Sequence, residues 1–306
     1  MNGRTMIALA WVTLVWGTGW LAIKLTLVSF TPLFLAGSRY VGAALLLWML
    51  ARIAKAPMPD GRREWITLLG SGVLMTGICP GLVFWAQARI PSGFASLLFA
   101  AMPLFTALIA HRFLKEERLS WMRMTGIVVG LVGVAVVCLS GLGGIDLGDP
   151  TSIAWGSAAV LGGALTFSLG LVWLKLSGAK FHPLVAVAIQ SVAGAAVLLP
   201  VAAVLEPNPI GELTIFPIIL YLYLTVIQSS LTQCVYVWLV KRVAATQISY
   251  ISCVVPAIAV AVGAIVLVEP IGWPIVVGGV GVVAGLYLVN RPMRAVVMMN
   301  EPKVSR

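Results

Sequence analysis

Charge is what this sequence has least of. Lys, Arg, Asp and Glu together make up 10% of the 306 residues, against roughly a quarter in a soluble domain, so the chain cannot cover a water-facing surface. Acids are scarcer still. The carboxylates are Asp60, Glu64, Glu116, Glu117, Asp146, Asp149, Glu206, Glu212, Glu269 and Glu301, and none falls in the middle of an apolar run. Proton-driven carriers often keep an intramembrane acid whose protonation follows the side it faces; that device is missing. His111 and His182 are the only histidines, both at the ends of apolar runs, where solvation suits them better than a proton relay. Cys79, Cys138, Cys234 and Cys253 lie inside apolar runs without metal-ligand spacing, which leaves no expectation of a metal or cofactor. No small-x-small cleavage site follows Arg4 and the first apolar run, so that run reads as an uncleaved helix rather than a secretory signal.

What is present is apolar. Residues of the AVILMFWYC set make up 60% of the chain and the mean hydropathy is +1.04. Runs near 6–26, 32–53, 65–87, 93–112, 122–142, 152–174, 183–204, 215–238, 246–267 and 274–290 approach or reach the ~20 residues that a hydrocarbon core requires. They are continuously apolar rather than alternating with period two, which excludes a β-barrel, and backbone groups in lipid must then be satisfied within helices. The expected fold is an all-α membrane protein of ten transmembrane helices. The net charge of +10 does not indicate nucleic acid, because the basic residues are spread over short loops; membrane lipid and orientation rules explain them.

Those residues also set orientation. With a cytoplasmic N-terminus, one side collects Arg4, Arg52, Lys55, Arg62, Arg63, Arg112, Lys115, Arg118, Arg123, Lys175, Lys180, Lys241, Arg242, Arg291, Arg294, Lys303 and Arg306, while the opposite loops hold Arg89 alone. An error of one in the helix count would swap the sides midway and destroy this bias. Both termini are expected in the cytoplasm of a bacterial cell, with the helices in its inner membrane.

The chain repeats internally. An offset of 151 residues pairs Lys24 with Lys175 and Pro32 with Pro183; an offset of 153 pairs Trp85 with Trp238, Arg89 with Arg242, Ser96 with Ser249 and Pro103 with Pro256; and 152 pairs Glu117 with Glu269, Trp121 with Trp273, Gly126 with Gly278 and Gly133 with Gly285. The halves, 1–144 and 145–306, therefore hold five helices each. An odd number inverts the second half relative to the first, the usual scaffold for alternating access around a midplane site.

At this point the residues resemble a family. The W-G-T-G-W stretch at 16–20 with Lys24, Arg39 in the second helix, A-S-L-L-F-A-A-M-P at 95–103, and E-R-L-S-W with Gly126 and Gly133 are similar to the drug/metabolite transporter superfamily. Pro256, Glu269 and Gly278 echo the pattern in the second half, and the whole chain looks most like the EamA-type exporters, including YddG-type amino-acid exporters. The resemblance implies a ten-helix exporter of amino acids or related metabolites, with helices one, three, four, six, eight and nine around a central cavity. The sequence departs at Ser168, where T-F-S-L-G replaces the W-G motif, and looser packing is expected at that point of the second half.

The residues themselves nominate a lining. Trp16, Trp20, Phe84, Phe99, Phe167 and Tyr236 lie near mid-depth, away from the interfacial belt that Trp48, Trp65, Trp121, Trp155 and Trp273 fit. The Trp16 indole N–H needs a partner, which a cavity or plain packing could supply. Thr18, Thr76, Ser168, Gln228, Ser229, Ser230 and Gln233 are mid-helix polar groups, read either as interhelical hydrogen bonds or as the polar points of a pocket for a small zwitterion or amphiphile. Lys24 and Arg39 are cations within spans, able to meet a substrate carboxylate or to snorkel to the interface. Pro80, Pro103 and Pro256 bend their helices, as gating kinks or as structure alone. The glycines at 126, 130, 133, 278, 281 and 285 put helices five and ten against each other or against a second subunit.

A secondary transporter exporting amino acids and related small metabolites follows, driven by the substrate's own gradient, with a monomer or weak homodimer as its assembly. A multidrug or other metabolite exporter, with or without proton coupling, is the rival carrier. An intramembrane enzyme would need an acid–base pair, nucleophile or metal cluster that the helices do not supply, and a scaffold or receptor would need larger soluble segments.

Overall fold

The computed structural model describes residues 3–113, 121–140, 149–178, 181–240, 242 and 245–289. Glu116, Glu117, Asp146, Glu301, Lys115, Arg118, Lys180, Lys241, the Ser249 side chain and the basic C-terminal tail lie outside them. Among the described residues the regular elements are helices, and one isolated bridge joins Phe30 to Ile210. In chain order the helices are α1 (Gly3–Thr26), α2 (Pro32–Ile53), α3 (Arg62–Gln87), α4 (Ser92–Phe113), α5 (Trp121–Ser140), α6 (Pro150–Leu176), α7 (Pro183–Leu205), α8 (Ile215–Val240), α9 (Ala245–Leu267) and α10 (Trp273–Val289). Among the described residues, eight of these are long and apolar enough to cross a membrane; Val254–Leu267 of α9 and all of α10 are shorter apolar helices. The outer surface carries large exposed aliphatic side chains such as Leu45, Val204, Ile265 and Val280, which suits lipid as the surrounding solvent.

Contacts come in exchanged pairs. Helix α1 packs on α8 and α9 as α6 packs on α3 and α4; α2 packs on α8 as α7 packs on α3; and α2–α7, α4–α9 and α5–α10 pack on each other. Glycine makes the last of these close. A Cβ on Gly285 would lie 2.4 Å from the Gly130 nitrogen, and one on Gly133 would lie 2.6 Å from the Gly278 carbonyl oxygen. Small residues of this kind let backbones approach where lipid offers no hydrophobic drive between helices. The glycine faces of α5 and α10 are thus occupied within one chain.

Three helices depart from α geometry, each for a local reason. Helix α3 contains a π-helical segment, Val73–Ile78; Pro80 just beyond it has no N–H for the carbonyl of Thr76. Helix α8 contains a second, Tyr223–Thr232, in which Ser229 Oγ and Ser230 Oγ donate to the carbonyls five residues back, Leu224 at 2.8 Å and Thr225 at 2.7 Å. The two segments overlap under the 153-residue offset. Helix α4 is broken at Ala100–Ala101 into Ser92–Phe99 and Met102–Phe113, where Pro103 denies a donor to the Phe99 carbonyl. Pro256, its counterpart by offset, sits inside the continuous α9. The same residue type therefore breaks one helix and is absorbed by the other.

The ends of several helices are tied by carboxylates and one lysine. Glu206 accepts from the backbone N–H groups of Leu33 (3.0 Å) and Phe34 (2.9 Å) and from Thr31 Oγ1 (2.5 Å) at the start of α2. Glu269 accepts from Ser92 N (2.6 Å), Ser92 Oγ (2.8 Å) and Gly93 N (2.9 Å) at the start of α4. Both positions satisfy orphan N–H groups and oppose the positive end of a helix dipole. Thr31 N also donates to Pro209 O, and Gly211 N to Ser29 O, joining the α1–α2 and α7–α8 connections.

Candidate substrate cavity

Between the two halves lies a cavity of about 200 Å³, far larger than the ~10–15 Å³ that one water needs. Of the residues nominated from the sequence, Trp16, Trp20, Arg39, Thr76, Pro80, Phe84, Phe99, Pro103, Phe167, Gln228, Ser229, Gln233 and Pro256 line it. Lining also comes from Tyr40 and Arg39 on α2 and from Val187 and Ser191 on α7. Helices two and seven thus join the six that the family resemblance implied.

The W-G-T-G-W motif acquires a physical meaning here. Its tryptophans face inward: Trp20 packs against Phe99 in a tilted arrangement with centroids 5.6 Å apart, and Phe99 meets Phe167 edge-on at 6.3 Å. Its glycines admit neighbours. A Cβ on Gly17 would lie 2.7 Å from Ile258 of α9, and one on Gly19 would lie 2.1 Å from Gln228 Nε2. Gly19 therefore makes room for the Gln228 amide beside α1. Thr18, between them, sits 2.9 Å from the Tyr223 hydroxyl and 2.8 Å from the Leu14 carbonyl, an interhelical contact rather than a cavity group.

The π segments place the polar points. Thr76 Oγ1 lies 2.7 Å from the Gly72 carbonyl and 2.5 Å from that of Gln190. Gln228 and Ser229 enter the cavity from the α8 segment. Such wide turns are rare and concentrate at functional sites, because the extra residue re-aims side chains and loosens carbonyls. The break in α4 brings Ser96, Phe99, Ala100 and Met102 to the wall.

Among the described residues lining the cavity, Arg39 is the one that is charged. It is 6% exposed. Nη1 donates to Gln228 Oε1 at 3.3 Å and Nη2 to the Tyr40 hydroxyl at 3.1 Å, and Nε has no partner. The guanidinium carbon lies 4.6 Å from the Tyr40 ring centroid and 4.4 Å from that of Phe84. Neutral acceptors and ring faces thus hold the cation, and snorkelling to an interface does not describe it.

Besides Thr18 and Ser230, Lys24, Ser168 and Tyr236 also fall elsewhere. Lys24 does not line the cavity: its ammonium donates to the carbonyls of Gln87 (2.7 Å) and Ile90 (3.0 Å), tying α1 to the end of α3. Ser168 is fully buried behind the wall, donating to Met102 O or Ala164 O, each at 2.8 Å, while accepting from Thr106 Oγ1 at 3.0 Å. It braces the broken α4 from the side. Tyr236 packs against Trp16, ring centroids 4.7 Å apart, and is not among the described residues that line the cavity. The sequence reading missed Tyr40, Ser191 and Ser252 as lining; Tyr40 was signalled by its position beside Arg39, whereas nothing distinguishes the two serines from helix-packing ones.

A bundle of apolar helices enclosing a cavity between two similarly packed halves is the architecture of a membrane carrier. The chain belongs to the EamA-like transporter family, whose model matches it twice, at residues 3–139 and 154–291. It is 28% identical to the uncharacterized transporter YvbV of Bacillus subtilis over 95% of this chain and 93% of that one. It is also 28% identical to the uncharacterized inner membrane transporter YedA of Escherichia coli over 82% and 78%. A solved crystal structure superposes with a TM-score of 0.66, covering 94% of this chain and 96% of its own, at 18% identity, a likeness of fold alone. The protein is a multi-pass membrane transporter.

Proposed function

We propose that this transporter exports amino acids and related small metabolites across the bacterial inner membrane by facilitated diffusion. In this reading ten helices cross the membrane as two inverted five-helix repeats, 1–144 and 145–306, with both termini in the cytoplasm. The twofold match of the family model and the exchanged pairs of helix contacts support it. The substrate sits in the cavity against Trp16, Trp20, Phe84, Phe99, Phe167, Thr76, Gln228 and Ser229, and Pro80, Pro103 and Pro256 act as the kinks at which the halves rock.

The observation that carries the reading is the composition of the cavity wall: aromatic faces, neutral polar groups, one cation, and no carboxylate or histidine among the described lining residues. A protonatable acid at the site is the usual means of coupling transport to a proton gradient. A wall without one binds and releases its solute on the solute's own gradient.

The test is efflux of labelled amino acids from liposomes containing the purified full chain, with and without a pH gradient. Flux of similar rate in both conditions is the expected result. Strict dependence on the proton gradient sinks the facilitator mechanism, and absence of flux for every amino acid, with flux of lipophilic drugs, moves the protein to the multidrug reading that the aromatic walls also suit.

A further inference from the structure

The buried guanidinium of Arg39 is the most costly group in the cavity wall. Of its five N–H donors, one meets Gln228 and one meets Tyr40, while Nε–H has no acceptor among the described residues. Both acceptors are neutral. Burying an unpaired charge is costly, and the cation–π contacts with Tyr40 and Phe84 offset only part of that cost. An arginine fork in this state matches a carboxylate in shape and charge, since the pair forms two parallel charge-assisted hydrogen bonds. Lys24 does not compete for that role, because its ammonium is already held by two backbone carbonyls at the end of α3.

Among the described residues, the rest of the wall has no anion to answer a substrate's ammonium group. Thr76, Ser96, Ser229 and Gln233 are neutral, and Asp, Glu and His are absent from the described lining. Recognition is therefore one-sided: an acid group is required and an amino group is merely tolerated.

We propose that Arg39 binds the carboxylate of the transported solute, and that the cavity selects carboxylates with an apolar body whether or not they carry an amine. Amino acids are then one subset of its ligands, and amine-free carboxylic acids are another. The proposal rests on the reading of this cavity as the transport site, and it makes Arg39 the residue that determines specificity.

Binding to the detergent-purified full chain, followed by ligand-induced shifts in thermal unfolding, separates it from the transport reading. Three probes share a phenyl body: 3-phenylpropanoate has only the carboxylate, phenylalanine both groups, and phenethylamine only the amine. The two carboxylates are expected to raise the unfolding temperature and the amine to leave it unchanged. In Arg39→Gln the carboxylate affinity is expected to fall at least tenfold, and Arg39→Lys, which keeps the charge but not the fork, is expected to retain part of it. An amine shift as large as the carboxylate shift, no shift with any probe, or an undiminished shift in Arg39→Gln overturns the proposal. If Arg39→Gln does not yield a monodisperse protein, the three-probe comparison on the wild type decides alone. Carboxylate binding without flux in liposomes would sink the transport reading and leave only Arg39 as a carboxylate-binding residue of the cavity. Flux inhibited equally by the amine would do the reverse.

Discussion

The seam between α2 and α8 and the seam between α3 and α7 are counterparts under the repeat, yet they are built differently. On the α3–α7 side, backbone meets backbone. A Cβ on Gly194 would lie 2.4 Å from the Thr76 carbonyl oxygen, and one on Gly72 would lie 2.7 Å from the Gln190 Cα. On the α2–α8 side, Gly42 faces only the Thr225 side chain, at 2.6 Å. The 151-residue offset that aligns Pro32 with Pro183 also aligns Arg39 with Gln190. Gln190 is a neutral amide whose nitrogen donates to Ser71 Oγ at 3.0 Å inside the tight seam. Arg39 is a cation with an idle donor on the open seam. One repeat thus uses this position to close a helix interface, and the other uses it to present charge to a cavity. The two seams are counterparts, and the residues at this position differ in charge.

The comparison can be broken most severely by exporting the charge to the wrong seam. Gln190→Arg would bury a guanidinium where backbones are in contact, at a cost of about 3–5 kcal/mol, read as a large drop in thermal unfolding temperature or loss of a monodisperse peak. The reverse exchange tests function rather than folding. Arg39→Gln should keep the fold and lower flux of carboxylate solutes roughly 10–100-fold, the worth of a charge-assisted hydrogen bond, whereas Gln190→Leu should leave the flux of folded protein within a few-fold of wild type. Equal effects of these two on flux would show that the seams are not specialised.

Smaller changes sharpen the contrast. Gly194→Ala drives a methyl group into the rigid Thr76 carbonyl and is expected to cost about 1–3 kcal/mol of stability. Gly42→Ala, which meets one side chain, should cost less than half as much in the same unfolding assay. Gly19→Ala is the mildest. Its methyl displaces the flexible Gln228 amide and removes the bond to Arg39, a loss of about 0.5–1.5 kcal/mol that should appear as a several-fold drop in carboxylate affinity with the unfolding temperature nearly unchanged.

Helix placement was legible because lipid leaves few choices: a backbone in hydrocarbon must satisfy itself, so run length and apolarity suffice to place spans. The described helices begin and end within a few residues of the runs, as with 183–204 against Pro183–Leu205. Much of the lining was legible for a related reason. A Trp at position 16, or an amide at 228, is out of place in a lipid-facing helix and so marks a wall away from lipid. That logic could not separate a group on the cavity wall from one a layer behind it. Ser168 and Tyr236 differ from Thr76 and Phe99 only in which way a neighbouring helix is rotated. Nor could it foresee the π segments of α3 and α8 or the break in α4, since Pro103 breaks its helix and Pro256 does not.

The two cations show where the boundary falls. The sequence by itself determined that Lys24 and Arg39 lie in apolar helices and that no acid shares those helices, because composition and run length are local properties. Only the tertiary structure decided that Lys24 is tied to the Gln87 and Ile90 carbonyls while Arg39 keeps an unpartnered N–H beside the cavity. Their partners are 63 and 189 residues away in the chain, and which of two buried charges is satisfied depends on helix rotation and packing that no local pattern encodes.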